Sequence, residues 1–278
     1  MKRFSRYCIC WCCAWWVLPM VVSAETIYSV GIVPQQSAQR LAELWTPVLQ
    51  HLSETSGVKL QFRTAKDIPE FEKNLAAGYY DFAYMNPYHF TVFNRNPGYR
   101  AVAVRKDQPI RGIIVVRKDS VITSLNQLAN QTLAFPSPAA FAASVLPRAQ
   151  LTREQIPFKA QYVSSHDSVY LNVAKGIFPA GGGVLRTLNS TPEAVREQLT
   201  VLWTTASYTP HAIAAAPHID PEVVAKVQQA LVDFHNTETG RQLLVSLQIK
   251  HQLIAAKDSD WDDVRGLGLD LLDQLINQ

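Results

Sequence analysis

Residues Thr132 to Arg148 read TLAFPSPAAFAASVLPR. The apolar run Leu133-Ala134-Phe135 meets a turn marked by Pro136 and Pro138. An alanine-rich segment follows, with Phe141, Val145 and Leu146 at helical spacing. The pattern predicts a strand, a tight loop and the start of a helix. Backbone N–H groups left free at such a junction, helped by the helix dipole, form a platform for a ligand, above all an anion. Between Pro138 and Ser144 that platform carries Ala139, Ala140, Phe141, Ala142 and Ala143, with neither a hydroxyl nor a charge. The stretch reads as the floor of a cleft between two lobes, drier than its architecture implies.

Upstream, Ile27 to Val33 is a β-branched first strand stopped by Pro34, and Ser37 is placed to cap a helix. Leu41, Leu44, Trp45, Val48, Leu49 and Leu52 fall on one face of that helix, which ends near Gly57. Strands follow at 58–63, 81–85, 99–104 and 112–117. A helix around Pro69–Ala77 and a turn at Asn86-Pro87-Tyr88-His89 lie between them. A second unit begins near Lys118, with a helix from about Phe141, a strand at 158–163, a helix after Ser164-Ser165-His166-Asp167 and a strand at 200–203. Tyr208-Thr209-Pro210-His211 and Ala212–Ala216 read as a crossing back to the first lobe. Helices starting at Pro221, at Thr239–Leu247 and at Asp260–Ile276 close the chain. Regular alternation of strand and helix predicts α/β lobes built on two mostly parallel sheets flanked by helices. Lobe one spans 25–117 plus 204–278, and lobe two spans 118–203.

Residues 1–24 stand apart. Lys2, Arg3 and Arg6 precede an apolar stretch from Ile9 to Val22, and Val22-Ser23-Ala24 supplies small residues for cleavage. This is the pattern of a signal peptide for a soluble, periplasmic product. All four cysteines (Cys8, Cys10, Cys12 and Cys13) fall inside it, so the expected mature chain has no disulfide, no cysteine metal site and no thiol catalysis. The leader also removes three of the 26 basic residues and no acid, leaving 23 cations against 23 anions. No basic stripe remains to argue for nucleic acid.

Several motifs lie together in order: Gly31-Ile32-Val33-Pro34, Trp45-Thr46-Pro47, and Ala77-Gly78-Tyr79-Tyr80-Asp81-Phe82-Ala83. Further along come Val115-Val116-Arg117-Lys118-Asp119-Ser120, Ser165-His166-Asp167 and Asp260-Trp261-Asp262-Asp263-Val264-Arg265. In this order they resemble the PhnD-like periplasmic binding proteins, receptors for phosphate, phosphite and phosphonate in ABC transport. The resemblance implies a bilobed type II clamshell that closes on one small ligand and delivers it to a permease. It also implies a Ser-Thr-Ser-type anion anchor, and here the matching positions are Ala140, Phe141 and Ala142. An acidic residue of the family likewise falls near Pro179. Three lost hydroxyl partners, at roughly 1.5–3 kcal/mol each, amount to about 5 kcal/mol or more. A changed, more apolar ligand is therefore carried beside the oxyanion, and a membrane sensor or adaptor role beside the permease.

The expected ligand contacts are Gln35, Gln36, Ser37, Asn86 and Tyr88 from lobe one, and Ser137, Phe141, Ser144, Ser165 and His166 from lobe two. Tyr208 and His211 join them from the crossing. Ser165-His166-Asp167 is not read as a catalytic relay, because adjacent residues at a helix start point in different directions. Gly181-Gly182-Gly183 lacks the Gly-Lys-Ser/Thr ending of a phosphate loop and reads as a place where backbone approaches closely. His89, expected at the surface or between lobes, shares no ligand-type spacing with His166 or His211, so no metal, and no cofactor, is expected. The chain reads as a monomeric binding protein, with no catalytic residue.

Overall fold

The structure is a computed structural model and describes residues 26–277; the expected leader, with its four cysteines, lies outside the described residues. The first lobe opens with β1 (Ile27–Ile32), α1 (Ala38–Ser56), β2 (Lys59–Arg63), α2 (Ile68–Ala76), β3 (Phe82–Met85), α3 (Pro87–Phe93) and β4 (Arg100–Arg105). The chain then crosses into β5 (Gly112–Arg117), β6 (Thr132–Phe135), α4 (Leu146–Arg153), β7 (Lys159–Tyr162), α5 (His166–Ala174) and β8 (Ala180–Val184). Two short helices, α6 (Leu185–Asn189) and α7 (Glu193–Arg196), precede β9 (Leu199–Thr204). It returns through β10 (Ala212–Ala215), α8 (Pro221–Asp233), α9 (Glu238–Ser246) and β11 (Leu253–Ala255).

The two ends of α1 are those the sequence announces. Ser37 Oγ accepts from the Arg40 N–H at the start of α1, and Gly57 closes that helix with φ +70°. Leu41, Trp45, Val48, Leu49 and Leu52 are the buried stripe of α1. Asn86 caps α3 in the same way, its Oδ1 accepting from the His89 N–H at 2.8 Å.

The six-stranded sheet runs β11-β4-β10-β3-β1-β2 and the five-stranded sheet runs β7-β6-β8-β5-β9. Both are mixed. Strand β1 is parallel to β2 and β3, and β6 is parallel to β7 and β8, as helix-linked strands should be. Strand β10 runs antiparallel to β3 and β4, and β5 runs antiparallel to β8 and β9. These two arrive from the opposite lobe without a packing helix, so nothing forces them to run with their neighbours.

The expected lobe boundary moves. Gly112–Arg117 belongs to the five-stranded sheet, so the first crossing lies upstream of it, where Ile110 and Tyr208 exchange backbone hydrogen bonds at 2.9 and 3.1 Å. A run such as Ile113-Ile114-Val115-Val116 fits the centre of either sheet, and no compositional break marks the crossing. The C-terminal helix expected over Asp260–Ile276 is instead a 3₁₀ turn at Asp258–Trp261 and short helices at Asp262–Arg265 and Asp273–Ile276. Gly266 and Gly268, the latter at φ +61°, fall in the break. Trp261 is fully buried and donates Nε1–H to the Pro210 carbonyl at 2.8 Å, tying this tail to the second crossing.

The largest apolar cluster fills lobe one, but it also takes in Ala139, Ala140, Phe141, Ala142, Ala143 and Val184 from lobe two. The two faces of the second sheet carry separate clusters. The lobes therefore meet through continuous apolar packing. Among the described residues no helix is long and apolar enough to cross a membrane.

Candidate functional site

The helix expected from Phe141 begins as a π-helical turn over Phe141–Val145 before α4. Its cause is Pro147. A proline has no N–H to offer the Ala143 carbonyl four residues back, and its ring would strike that carbonyl in a regular α-helix. The turn widens, with the Val145 N–H reaching the Ala140 carbonyl at 3.2 Å. The displaced carbonyls pack on glycine. A Cβ at Gly182 would meet the Ala143 oxygen at 2.0 Å, and one at Gly112 would meet the Ala142 oxygen at 1.8 Å. The triple glycine is thus a strand stripped of side chains, letting the turn settle onto the sheet.

This turn faces lobe one across a small gap lined by Val33, Gln35, Ile68, Asn86, Ile110, Val184, His166 and His211 together with Ala140, Phe141, Ala142 and Ala143. The gap has a volume of about 10 Å³, which is room for a single water. Phe141 is the reason. Its ring lies 1% exposed and edge-on to Tyr208, with centroids 5.4 Å apart. No carboxylate lines the gap.

Hydrogen bonds close the lobes on each other. The His166 N–H donates to the Gln35 carbonyl at 3.0 Å, Asn86 Nδ2 to the Ala139 carbonyl at 3.4 Å, and the Ser37 N–H to Asp167 Oδ2 at 3.3 Å. Arg186 donates to the Gln35 side-chain oxygen, and Gln248 Nε2 to Ser190 Oγ at 2.7 Å.

Of the expected contacts, Gln35, Asn86, Ala140, Phe141, Ala142, His166 and His211 line the gap. Tyr208 stands behind Phe141. The others sit elsewhere. Gln36 is buried against Trp45 and Tyr84 in a neighbouring void. Ser37 is an exposed helix cap at the rim. Tyr88 packs in the lobe-one core and accepts from the Leu272 N–H at 3.0 Å, and burial pushes its phenol up to about 12. Ser137 and Ser144 are sealed in with hydroxyls that find no partner. Ser165 is used as the cap of α5. His89 is fully buried, not at a surface, and pairs with the buried Glu72 at 2.9 Å, pinning α3 to α2.

The Ser-His-Asp run makes no relay: His166 Nδ1 meets Thr187 Oγ1 at 3.1 Å while Asp167 turns to Ser37. Burial, then the nearby Arg186, presses His166 down to about 3. His211 stacks on Tyr84 at 5.0 Å with neither ring nitrogen hydrogen-bonded. Burial first, then Arg186 and Arg105, holds it well below the ordinary imidazole range. Sequence reasoning missed these two arginines. Arg186 follows the glycine strand, and Arg105 ends the apolar run Ala101-Val102-Ala103-Val104; a cation closing a buried strand was the available signal.

The model of a family described as the ABC transporter, phosphonate, periplasmic substrate-binding protein matches residues 30–261. The phosphate-import protein PhnD of Mycolicibacterium smegmatis is 22% identical over 272 residues, covering 87% of this chain and 84% of that protein. Among solved structures, PhnD1 of Prochlorococcus marinus, in complex with methylphosphonate, superposes with a TM-score of 0.80 at 18% identity, covering 88% of this chain and 98% of that one. A binding-protein component of an ABC phosphonate transporter from Pseudomonas aeruginosa gives 0.80 at 18% identity, covering 91% and 88%. The fold is that of the type II binding proteins. With its match running from the first strand to Trp261, the chain belongs to the phosphonate family of periplasmic substrate-binding proteins of ABC transporters, solute carriers and not enzymes.

Proposed function

We propose that this chain captures a small oxyanion of the phosphonate, phosphate or phosphite type between its lobes and presents the closed form to an ABC permease. The observation that carries this reading is the meeting, in one gap without a carboxylate, of the first-turn amides of Phe141–Ala143 with Asn86, His166 and His211. Those amides have no intrahelical acceptor and favour negative charge. Arg186 and Arg105 lie close enough to depress His211, so the surrounding field is positive. An anion would also let the buried imidazoles take up protons.

The closed gap is too small for such a ligand, so uptake requires the lobes to part and Phe141 to withdraw. Closure over the ligand is then driven only by contacts made to both lobes, since a solute with equal affinity for the open and closed forms shifts nothing. Within this reading the leader is cleaved on export and the product acts as a monomer, because one chain supplies both lobes. Titration calorimetry of the 25–278 chain with phosphate, phosphite and methylphosphonate tests it. Heat from at least one is expected; silence from all three overturns capture of these small anions.

One observation favours a second reading. Five cross-lobe hydrogen bonds tie the lobes together, and the gap between them, lined by Phe141, has a volume of only about 10 Å³. A receptor already closed is suited to contact a membrane sensor as an adaptor, with ligand acting by opening it.

A further inference from the structure

Beside the sealed gap, and sharing Ile110 and Val184 as a common wall, lies a second interlobe cavity of about 440 Å³. Four cations line it: Arg105 and Lys250 from lobe one, Arg111 from the crossing and Arg186 from lobe two. No acidic residue lines it, and among the described residues none of the four forms an ion pair. Arg111 spends its Nε on Ser207 Oγ and Arg186 a guanidinium nitrogen on Gln35. Arg105 is different. It is only 5% exposed, its Nε has no hydrogen-bond partner, and no carboxylate approaches it. Arginine stays protonated even when buried, so an unpaired guanidinium here is a standing electrostatic cost that an anion removes. The rest of the lining mixes three neutral polar residues, Gln108, Asn189 and Gln248, with apolar ones, of which Leu185 and Val245 are exposed. The volume falls within the range of small-molecule sites.

We propose that this basic groove is a binding site for an organic phosphonate or phosphate monoester, with the anionic group held between Arg105 and Arg186 and the carbon substituent along Leu185 and Val245. The inference rests on the anion-receptor reading above and relocates the anion. The gap over Ala140, Phe141 and Ala142 has room for about one water, whereas the groove has both volume and uncompensated charge. Ligation of both lobes by one anion gives the differential contact that closure requires.

The test is titration of the 25–278 chain with phenylphosphonate, phenyl phosphate, methylphosphonate and inorganic phosphate, in wild type, Arg105→Met and Asn86→Ala. Phenylphosphonate and phenyl phosphate are expected to bind more tightly than the two small anions. Arg105→Met is expected to weaken them by about 10- to 100-fold, the loss of one or more charge-assisted hydrogen bonds, while its melting temperature holds or rises because a buried unpaired charge is gone. Asn86→Ala, which alters the gap and not the groove, is expected to weaken this binding less than Arg105→Met does. Binding that ignores Arg105→Met but is lost in Asn86→Ala overturns the groove and leaves the anion receptor standing. Absence of heat with all four probes overturns both.

Discussion

The ring of Phe141 stands at 83° to that of Tyr208, one residue from the lobe-two turn and the other from the chain crossing. Neither side chain packs within the second sheet's own clusters; Phe141 belongs to the apolar body of lobe one. A benzene ring therefore stands in the gap between the lobes. Phe141→Ala removes this plug and is expected to cost about 3 kcal/mol or more, the usual range for a buried phenylalanine. Urea unfolding measures that loss. Small-angle scattering should show a larger radius of gyration, since the lobes lose their main apolar contact; an unchanged radius would mean that the polar bonds alone hold them shut.

The two buried imidazoles set an acid limit. An unfolded chain protonates them near pH 6.5, whereas the folded chain keeps His166 neutral to about 3. The unfolded state thus binds more protons across that window, and stability falls as pH drops through it. Between pH 7 and 4 His166 alone accounts for about 3 kcal/mol. Asp167 works in the opposite sense, since burial raises its carboxyl and favours the folded state as the acid is protonated. Melting curves from pH 7.5 to 4 should show the decline, and His166→Gln should flatten it while keeping a polar group near Thr187. A profile equally steep in that variant would assign the acid limit elsewhere.

Gly182 tests the seating of the π-helical turn. An added methyl group would meet the Ala143 carbonyl at 2.0 Å and the Phe135 ring at 2.7 Å, and the first of these is backbone that cannot swing aside. Gly182→Ala must lift the turn off β8, so its cost should reach about 1–3 kcal/mol as an overpacked core. Gly78→Ala serves as a contrast: its strain is of φ, at +64°, and the added carbon would meet only the Pro97 ring at an ordinary 3.9 Å. If Gly182→Ala melts with wild type, the turn is not seated as described.

Much of this was legible beforehand because local chemistry decided it. Ser37 is a cap in the sequence and a cap in the structure, and the helices expected after Asn86 and Ser165 begin there. The apolar Ala139–Ala143 platform also lies where the strand-turn-helix pattern placed it, at the lobe boundary. What escaped were features set by distant partners. Tyr88 and His89 follow a strand end where ligands usually sit, yet Leu272 and Glu72 claim them for the core. Ser137 and Ser144 carry the right hydroxyls but lie behind the turn that Pro147 reshapes. Arg105 and Arg186 belong to different lobes and line one cavity, and no spacing along the chain announces that.

The closing bonds differ in how much they hold. Gln248 Nε2 to Ser190 Oγ, at 2.7 Å, spans the lobes and is half-buried, while Ser37 N–H to Asp167, at 3.3 Å, sits at the exposed rim. A neutral hydrogen bond is worth about 1 kcal/mol net, and more when removal of one partner strands the other away from water. Ser190→Ala should therefore shift an open–closed equilibrium by about fivefold toward open without unfolding either lobe, because Ser190 Oγ otherwise bonds only the Arg186 carbonyl on its own helix. Fluorophores placed on the exposed Val121 of lobe two and Ile27 of lobe one report the distance by energy transfer. A Ser190→Ala sample with the wild-type distance distribution would show that this bond follows closure and does not hold it.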